Sequence, residues 1–214
     1  MRRAVMAMVA IGGMTAERGA QATARTDVPQ LVMRIYDSAG LSPTQIEAAR
    51  KIARGAFNRA GLDVAWLDCS QTASAAPDTP CVRPVRPAEI IVRIVRTTSK
   101  RTDRVLGYTD LCDHADGVLA TVFADEVDET ARRSRVETGM LIGRVIVHEI
   151  SHLLVGTSRH SPIGVMRGTW SDQEIRRNLL PDWSLSRRDA QQVRLGLLAR
   201  AGPVPSPQPS PTSE

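Results

Sequence analysis

The chain has 214 residues, which is enough for one well-packed domain and too short for two. Its formal net charge is +5, carried almost entirely by arginines spread along the chain, and aromatic residues make up only 3%. A nucleic-acid surface requires a clustered basic face with aromatic or helical readers. The composition therefore excludes that class of function. We expect a monomer with no nucleic-acid partner.

The first residues have the pattern of a secretory signal peptide. A basic start at Arg2 and Arg3 is followed by an uncharged apolar run over residues 4–14 and by small residues that end at Ala24. The run is too short to span a bilayer as a permanent helix. We therefore predict a signal peptide over residues 1–24, a secreted or periplasmic protein, and no membrane association after cleavage. The alternative is a disordered N-terminus.

The first predicted elements are a strand and a helix. Residues 31–36 are apolar and branched, which favours a strand. Ser42 and Gln45 then form a capping box, with Pro43 at the first helical position. Gly61 is expected to end this helix. Apolar residues recur at spacings of three and four along it, so one of its faces should pack on a sheet.

Four further strands are predicted downstream, separated by polar or proline-rich loops. The third strand of the chain is strongly apolar, and the fourth is short and expected at a sheet edge. Their predicted bounds are residues 63–67, 89–95, 105–108 and 117–123.

Two cysteines lie within the proline-rich loop over residues 68–87. In an exported protein Cys69 and Cys81 are the natural disulfide pair, and Cys112 is left unpaired. Such a bridge closes a loop of about a dozen residues and should stabilise the fold by roughly 2–3 kcal/mol. Three cysteines allow other pairings, so this one is a hypothesis.

The last part of the domain is predicted to be helical. Ser134 and Glu137 suggest a capping box that opens a helix apolar nearly all round, which indicates burial. A final helix should run from Ser186 to about Arg200. Residues 201–214 alternate proline with serine and are expected to be disordered.

The predicted elements define an α/β fold with a single domain over residues 25–200. A sheet of about five strands packs on helices, and the apolar helix is buried. That helix carries His148, Glu149 and His152 in the pattern HExxH. Histidines four apart share one helix face and can bind a single zinc ion, while the glutamate lies where a general base is needed. The alternative is a chance pair of core histidines.

Catalytic zinc needs three protein ligands and one open position. His160 is the first candidate for the third ligand, because Gly156 ends the helix and lets the chain reverse. Glu174 competes with it, in a possible short helix over residues 171–178. A glutamate about twenty residues past the second histidine completes the site in thermolysin-like enzymes. The ordinary interpretation of Glu174 is a solvated charge.

The run HEISHLLVGTSRHSPIGVM resembles the active-site segment of the metzincin clan of zinc peptidases, whose pattern is HExxHxxGxxH followed by a turn carrying methionine. The resemblance implies a single metzincin-like domain with a mixed, mostly parallel sheet. It also implies that Gly156 and Met166 support the site without binding the metal. In this chain the glycine comes one residue later and the third histidine two residues later than in the clan. An extra helical residue rotates the exit by about 100°, so the return to the metal must differ.

The resemblance further implies how substrate is held. In metzincins an edge strand binds extended peptide by backbone pairing, which corresponds here to residues 105–110 with Leu106, Gly107 and Tyr108. The expected function is a secreted zinc-dependent endopeptidase acting on peptide or protein, with Zn²⁺ as cofactor and Glu149 as general base. Two alternatives stay open: an inactive secreted zinc-binding or interaction module, and a binding protein whose motif is accidental.

Overall fold

The computed structural model describes residues 30–70, 79–97, 105–111 and 117–202. The expected signal peptide, Cys112 and the tail beyond residue 202 lie outside the described residues, so these expectations stay predictions. The strands are β1 (Leu31–Asp37), β2 (Val64–Asp68), β3 (Glu89–Val95), β4 (Gly107–Thr109) and β5 (Leu119–Phe123).

These strands form one sheet in the order β2-β1-β3-β5-β4. β1 pairs in parallel with β2 and β3, and β3 pairs in parallel with β5. β4 runs antiparallel to β5 at the edge of the sheet. The predicted α/β fold with a mixed, mostly parallel sheet of five strands is therefore confirmed. In β3 the side chains of Ile90, Val92 and Ile94 are fully buried and those between them are half-buried or exposed, so one face of the strand carries the core.

The helices are α1 (Pro43–Arg59), α2 (Ala124–Ser134), α3 (Thr138–Val155), α4 (Asp172–Arg177) and α5 (Arg187–Ala201), with a short 3₁₀ helix over Leu180–Trp183. The predicted cap of α1 is confirmed. Ser42 Oγ accepts the N–H of Gln45 at 3.3 Å, and Gln45 Oε1 accepts the N–H of Ser42 at 2.9 Å. Gly61 follows the helix with φ +80°.

The prediction for the start of the motif helix is wrong. Ser134 is the last residue of α2, and Arg135 follows it in the left-handed conformation with φ 57°. Helix α3 begins after Glu137, whose side chain makes no capping hydrogen bond. Helix α2 was not predicted, since it follows β5 directly, without the turn residues that usually separate two elements. It packs against α3, and its residues Val127 and Ala131 are fully buried.

Helix α3 is the centre of the domain and is buried along nearly its whole length, as predicted. It contacts α1, α2, α5, β4 and β5. It is the one described helix whose length and composition would suffice to cross a membrane, and its burial within the domain accounts for that apolar character. A helix enclosed in this way gives the side chains that it carries a fixed frame.

The loop between β2 and β3 is closed as predicted. Cys69 and Cys81 form a disulfide with their Cα atoms 5.4 Å apart. The Tyr36 hydroxyl donates to the carbonyl oxygen of Cys81 at 2.9 Å, which ties the loop to β1. The bridge lies on the part of the domain formed by β1, β2 and β3.

Candidate metal centre

Two histidines of α3 face each other across one helical turn. His148 and His152 are 9% and 6% exposed, and their Nε2 atoms lie 3.0 Å apart. Two nitrogens on a tetrahedral zinc, with Zn–N bonds of about 2.0–2.1 Å, would lie about 3.3 Å apart. The helical pair therefore has the spacing that a single metal ion requires.

Main-chain carbonyl groups determine which nitrogen of each ring carries the proton. Nδ1 of His148 lies 2.9 Å from the carbonyl oxygen of Val165, and Nδ1 of His152 lies 2.7 Å from that of Thr157. A carbonyl oxygen can only accept, so each Nδ1 must donate. Burial, aided by His152 and His160, lowers the pKa of His148 to about 4, which keeps this ring neutral. Both Nε2 atoms then present lone pairs to the same point, as metal ligands do.

The third histidine reaches the pair even though its spacing differs from the metzincin pattern. Gly156 ends α3 with φ +67° and donates its N–H to the carbonyl oxygen of His152 at 2.8 Å, which reverses the chain. The His160 ring centroid then lies 5.2 Å from that of His148 and 5.0 Å from that of His152. The ligand atoms of the three histidines all lie within 4.8 Å of one another. The structure thus places all three predicted ligands in one candidate metal site.

Gly168 provides the space that the His160 ring occupies. A Cβ atom at position 168 would lie 3.1 Å from Cγ and Nδ1 of His160, closer than ordinary van der Waals contact. His160 is exposed on its other side. The segment between Gly156 and His160 is longer than in the metzincin pattern. The His160 ring at its end rests against the main chain at Gly168. Nothing in the local sequence pattern identifies Gly168 as part of the site.

Glu174, the competing ligand, belongs to another cluster. It forms an ion pair with Arg167 and, through a capping box with Ser171, starts α4. Hydrogen bonds from Arg167 and Ser171 lower the pKa of Glu174 to about 2. Among the described residues, the metal-ligating cluster contains His148, His152 and His160 and does not include Glu174. The short helix that was expected around it is confirmed as Asp172–Arg177.

The turn that carries Met166 holds a histidine through its main chain. Met166 is 5% exposed, and its carbonyl oxygen accepts the N–H of Ser161 at 2.9 Å. The preceding residue, Val165, supplies the carbonyl group that orients His148. In the described contacts the backbone of the turn does the orienting. The role of the Met166 side chain beneath a metal stays a prediction.

Glu149 lies beside the histidines, 7% exposed, and is held by the edge strand. Thr109 Oγ1 donates to Glu149 Oε2 at 2.6 Å and lies 3.2 Å from the carbonyl oxygen of Glu149. Burial raises the pKa of Glu149 to about 7, against the opposing effect of the Thr109 hydrogen bond. Thr109 lies within residues 105–110, the segment predicted to bind substrate, but its contact with Glu149 was not predicted.

The candidate metal centre opens into a cleft of about 470 Å³. One side is formed by Leu106, Gly107 and Tyr108, the three residues predicted to contact substrate. Strand β4 begins two residues later than predicted, and Tyr108 on it is 53% exposed. A Cβ atom at Gly107 would lie 2.7 Å from Glu149 Oε1, so glycine is what allows the strand to pass this close to the carboxylate.

An aromatic pair supports the site from the side of α4. Trp170 meets the His148 ring edge-on with centroids 5.6 Å apart, and Trp183 meets Trp170 in the same way at 5.1 Å. The guanidinium carbon of Arg144 lies 3.7 Å from the centroid of Trp183. Arg144 precedes His148 by one helical turn, so this stack of side chains begins and ends on α3. No sequence pattern marks the two tryptophans, because they lie outside the predicted regular elements.

No protein-family model matches the chain, and no curated protein matches its sequence. The resemblance to metzincins thus rests on the motif segment. What the residues themselves offer is a set of three imidazole ligands, an adjacent carboxylate and an open cleft. Imidazole nitrogens suit zinc, copper, iron and nickel, so the cluster fits a transition metal without specifying which one.

Proposed function

We propose that this protein is an exported zinc-dependent peptidase with a metzincin-like catalytic domain. The observation that carries the proposal is the convergence of His148, His152 and His160 with Glu149 at one cleft, beside an exposed strand edge. A structural zinc site closes its fourth position with a protein ligand. Among the described residues the cluster has three ligands and opens to the cleft, which is the arrangement that catalysis requires.

The donor set fits zinc. The second ring nitrogen of each α3 histidine is held by a carbonyl group, as in zinc-ligating histidines, so the nitrogen that faces the site is the one left to bind the metal. A zinc ion bound there supplies a water of lowered pKa, toward about 7, and polarises the carbonyl group under attack. His148, His152 and His160 would hold it.

Glu149 is the proposed general base. Its carboxylate takes the proton of the attacking water and then passes that proton to the leaving amine. Thr109 holds Oε2 by a hydrogen bond of 2.6 Å and Gly107 lies against Oε1, so the carboxylate cannot turn freely. A fixed base reduces the reorganisation needed when the proton moves.

Strand β4 is the proposed binding site for the peptide. It pairs with β5 along one side and is the last strand of the described sheet, so its other side has main-chain groups free of sheet partners. An extended peptide can add to such an edge as a further strand. That strand would run past Glu149 and the three histidines, where a metal held by them could polarise a peptide carbonyl group.

Export of the protein is supported by the disulfide between Cys69 and Cys81. Disulfides persist in oxidising compartments and are rare in the cytosol. The proposal therefore includes secretion or a periplasmic location, with the predicted signal peptide as the means.

The test is elemental analysis of the purified protein together with a peptide-library assay. We expect about one zinc per chain, retained in Glu149→Ala and Glu174→Ala and lost or strongly weakened in His160→Ala. Peptide hydrolysis should be present in the wild type and in Glu174→Ala, and absent in Glu149→Ala. Zinc bound without hydrolysis of any peptide would favour the inactive zinc-binding module. No zinc after metal-replete purification would overturn both.

A further inference from the structure

Two guanidinium groups lie at one wall of the cleft. Arg133, near the end of α2, and Arg167, after the Met166 turn, both line the cleft. Among the described residues that line it, Glu149 is the only acid, and it lies at the histidines. Apart from Glu149 and the histidines, the charged side chains among these described lining residues are therefore those of Arg133 and Arg167.

The two guanidinium groups are held in place from the same turn of α4. Nε of Arg133 donates to both carboxylate oxygens of Asp172, at 3.1 and 2.9 Å. Arg167 forms an ion pair with Glu174, and its Nε donates to the carbonyl oxygen of Gly164 at 3.3 Å. Asp172 and Glu174 lie in the first turn of α4 and do not line the cleft. The two carboxylates therefore hold the arginines without occupying the cleft.

Each arginine keeps donors that these contacts do not use. Nη2 of Arg167 has no hydrogen-bond partner in the part of the chain that the structure describes, and because it is buried a carboxylate in the cleft reaches it only when the side chain shifts. The two terminal nitrogens of Arg133 make no described hydrogen bond, and this side chain is 38% exposed. A buried donor without a partner is costly, and a planar guanidinium group matches a carboxylate better than any other ligand in a peptide.

We propose that Arg133 and Arg167 select substrates that present a carboxylate to this wall of the cleft. The proposal rests on the peptidase function proposed above and names its substrate class. The carboxylate is either the side chain of a substrate aspartate or glutamate, or the free C-terminus of the peptide. Because Asp172 and Glu174 offset the charge of the two arginines, selection depends on hydrogen-bond geometry more than on the long-range field, so it should weaken only modestly with salt.

The test uses zinc-loaded protein and matched peptide pairs. In one series glutamate replaces glutamine at each position around the cleaved bond, and in the other a free C-terminus replaces a C-terminal amide. We expect kcat/KM to be about tenfold higher for the carboxylate member at one position or at the C-terminus. Arg167→Gln should bring that ratio close to one. The series in which the preference appears identifies the source of the carboxylate.

Arg132→Gln is the matched control, because Arg132 is the neighbour of Arg133 on α2, its side chain is 65% exposed, and it does not line the cleft. It should keep the full preference. Arg133→Gln is the second test variant, used if loss of the Glu174 ion pair prevents Arg167→Gln from folding. Equal cleavage of both members of every pair by the wild type would overturn the carboxylate proposal and leave the peptidase function standing.

A binding measurement separates the two proposals. Zinc-loaded Glu149→Gln should bind the labelled carboxylate peptide more tightly than its neutral partner by fluorescence anisotropy, and adding Arg167→Gln should remove the difference. A difference in binding without cleavage of any peptide by the wild type would support the carboxylate site and count against the peptidase. Equal binding of both members would overturn selection by the arginines.

Discussion

Thr109 Oγ1 donates a hydrogen bond of 2.6 Å to Glu149 Oε2, and this contact joins the edge strand to the proposed general base. The same hydroxyl lies 3.2 Å from the main-chain oxygen of Glu149. One short side chain therefore connects the strand proposed to hold the peptide with the helix that carries the metal ligands. A peptide that shifts the strand would also shift the carboxylate.

Replacing Thr109 should separate catalysis from metal binding. Thr109→Val keeps the shape of the side chain but removes the hydrogen bond to a charged group, worth about 1.5–3 kcal/mol. We expect kcat for a cleaved peptide to fall by roughly 10–100-fold, while zinc content and melting temperature change little. Thr109→Ser should restore most of the activity. An unchanged kcat in Thr109→Val would show that the contact does not position the base.

Gly107→Ala should disturb the same carboxylate from the other side. The new Cβ atom would meet Glu149 Oε1 and Val145 Cγ1, both at 2.7 Å, so the strand or the carboxylate must move. We expect loss of most peptide hydrolysis with zinc retained, measured by elemental analysis and turnover in parallel. Gly55→Ala is the control, because its Cβ would meet only the end of the Arg59 side chain, at 3.3 Å, within α1. That variant should keep full activity and gain up to about 1 kcal/mol of stability.

Removing the metal should lower the stability of the whole domain. A ligand that binds only the folded state stabilises it by about 4 kcal/mol when its free concentration is roughly a thousand times Kd. We expect chelation to lower the melting temperature of the wild type by several degrees, in calorimetry at fixed pH. His160→Ala should show a much smaller difference between chelated and zinc-loaded samples. An identical shift in that variant would remove His160 from the ligand set.

The buried ion pair between Arg34 and Glu89 should make stability depend on pH. Burial opposes ionisation of Glu89, but hydrogen bonds from Arg83, the Arg86 main chain and Arg34 outweigh it and hold the Glu89 pKa below its ordinary value of 4.5. A lowered folded-state pKa stabilises the protein above pH 4.5, and this stabilisation is lost as the pH falls through the folded-state value. Glu89→Gln should cost about 3–5 kcal/mol at pH 7, because it leaves Arg34 buried without its carboxylate.

Urea denaturation at pH 7 and at pH 3 tests this expectation, since the gap between wild type and Glu89→Gln should narrow at the lower pH. Glu47→Gln is the control for losing a carboxylate. Glu47 pairs with Arg50 on the surface of α1, with its side chain 60% exposed, and such pairs contribute about 0–1 kcal/mol. A gap that is the same at both pH values would contradict the role given to the Glu89 charge.

The elements with local signals were predictable from the sequence. Ser42 and Gln45 mark the start of α1, and the alternation of apolar segments and turns gives the five strands. Helix α2 was not predicted because it has no turn before it, and its buried apolar residues, Ala124, Val127 and Ala131, are few among charged neighbours. Ser134 and Glu137 matched a capping pattern by spacing alone. In the structure the Ser134 hydroxyl instead donates to Asp172 Oδ1, and the Ser134 carbonyl oxygen accepts from Arg176 Nε.

The metal ligands of the candidate site could be predicted from the sequence, but the residues that hold those ligands in place could not. His148 and His152 follow from helical spacing, and His160 from the glycine that precedes it. Val165 lies within the motif segment, but it acts through its main-chain carbonyl group, which the residue type does not reveal. Thr109 lies 40 residues before Glu149, and Gly168 and Trp170 follow the motif segment, so only packing against α3 brings these three to the site. No spacing rule relates them to the motif, so their contribution depends on tertiary structure.

The carbonyl groups that orient the two helical rings belong to the segment after α3, and the same segment carries His160. Metal occupancy and the ordering of this segment are therefore linked equilibria. If the segment unfolds locally, both rings lose the carbonyl groups that orient them and the site loses His160. Metal binding, in turn, stabilises the folded segment. Substitutions that touch no ring and only hold the segment in place will thus register as changes in metal affinity. Metal retention therefore reports the local stability of the segment that follows α3.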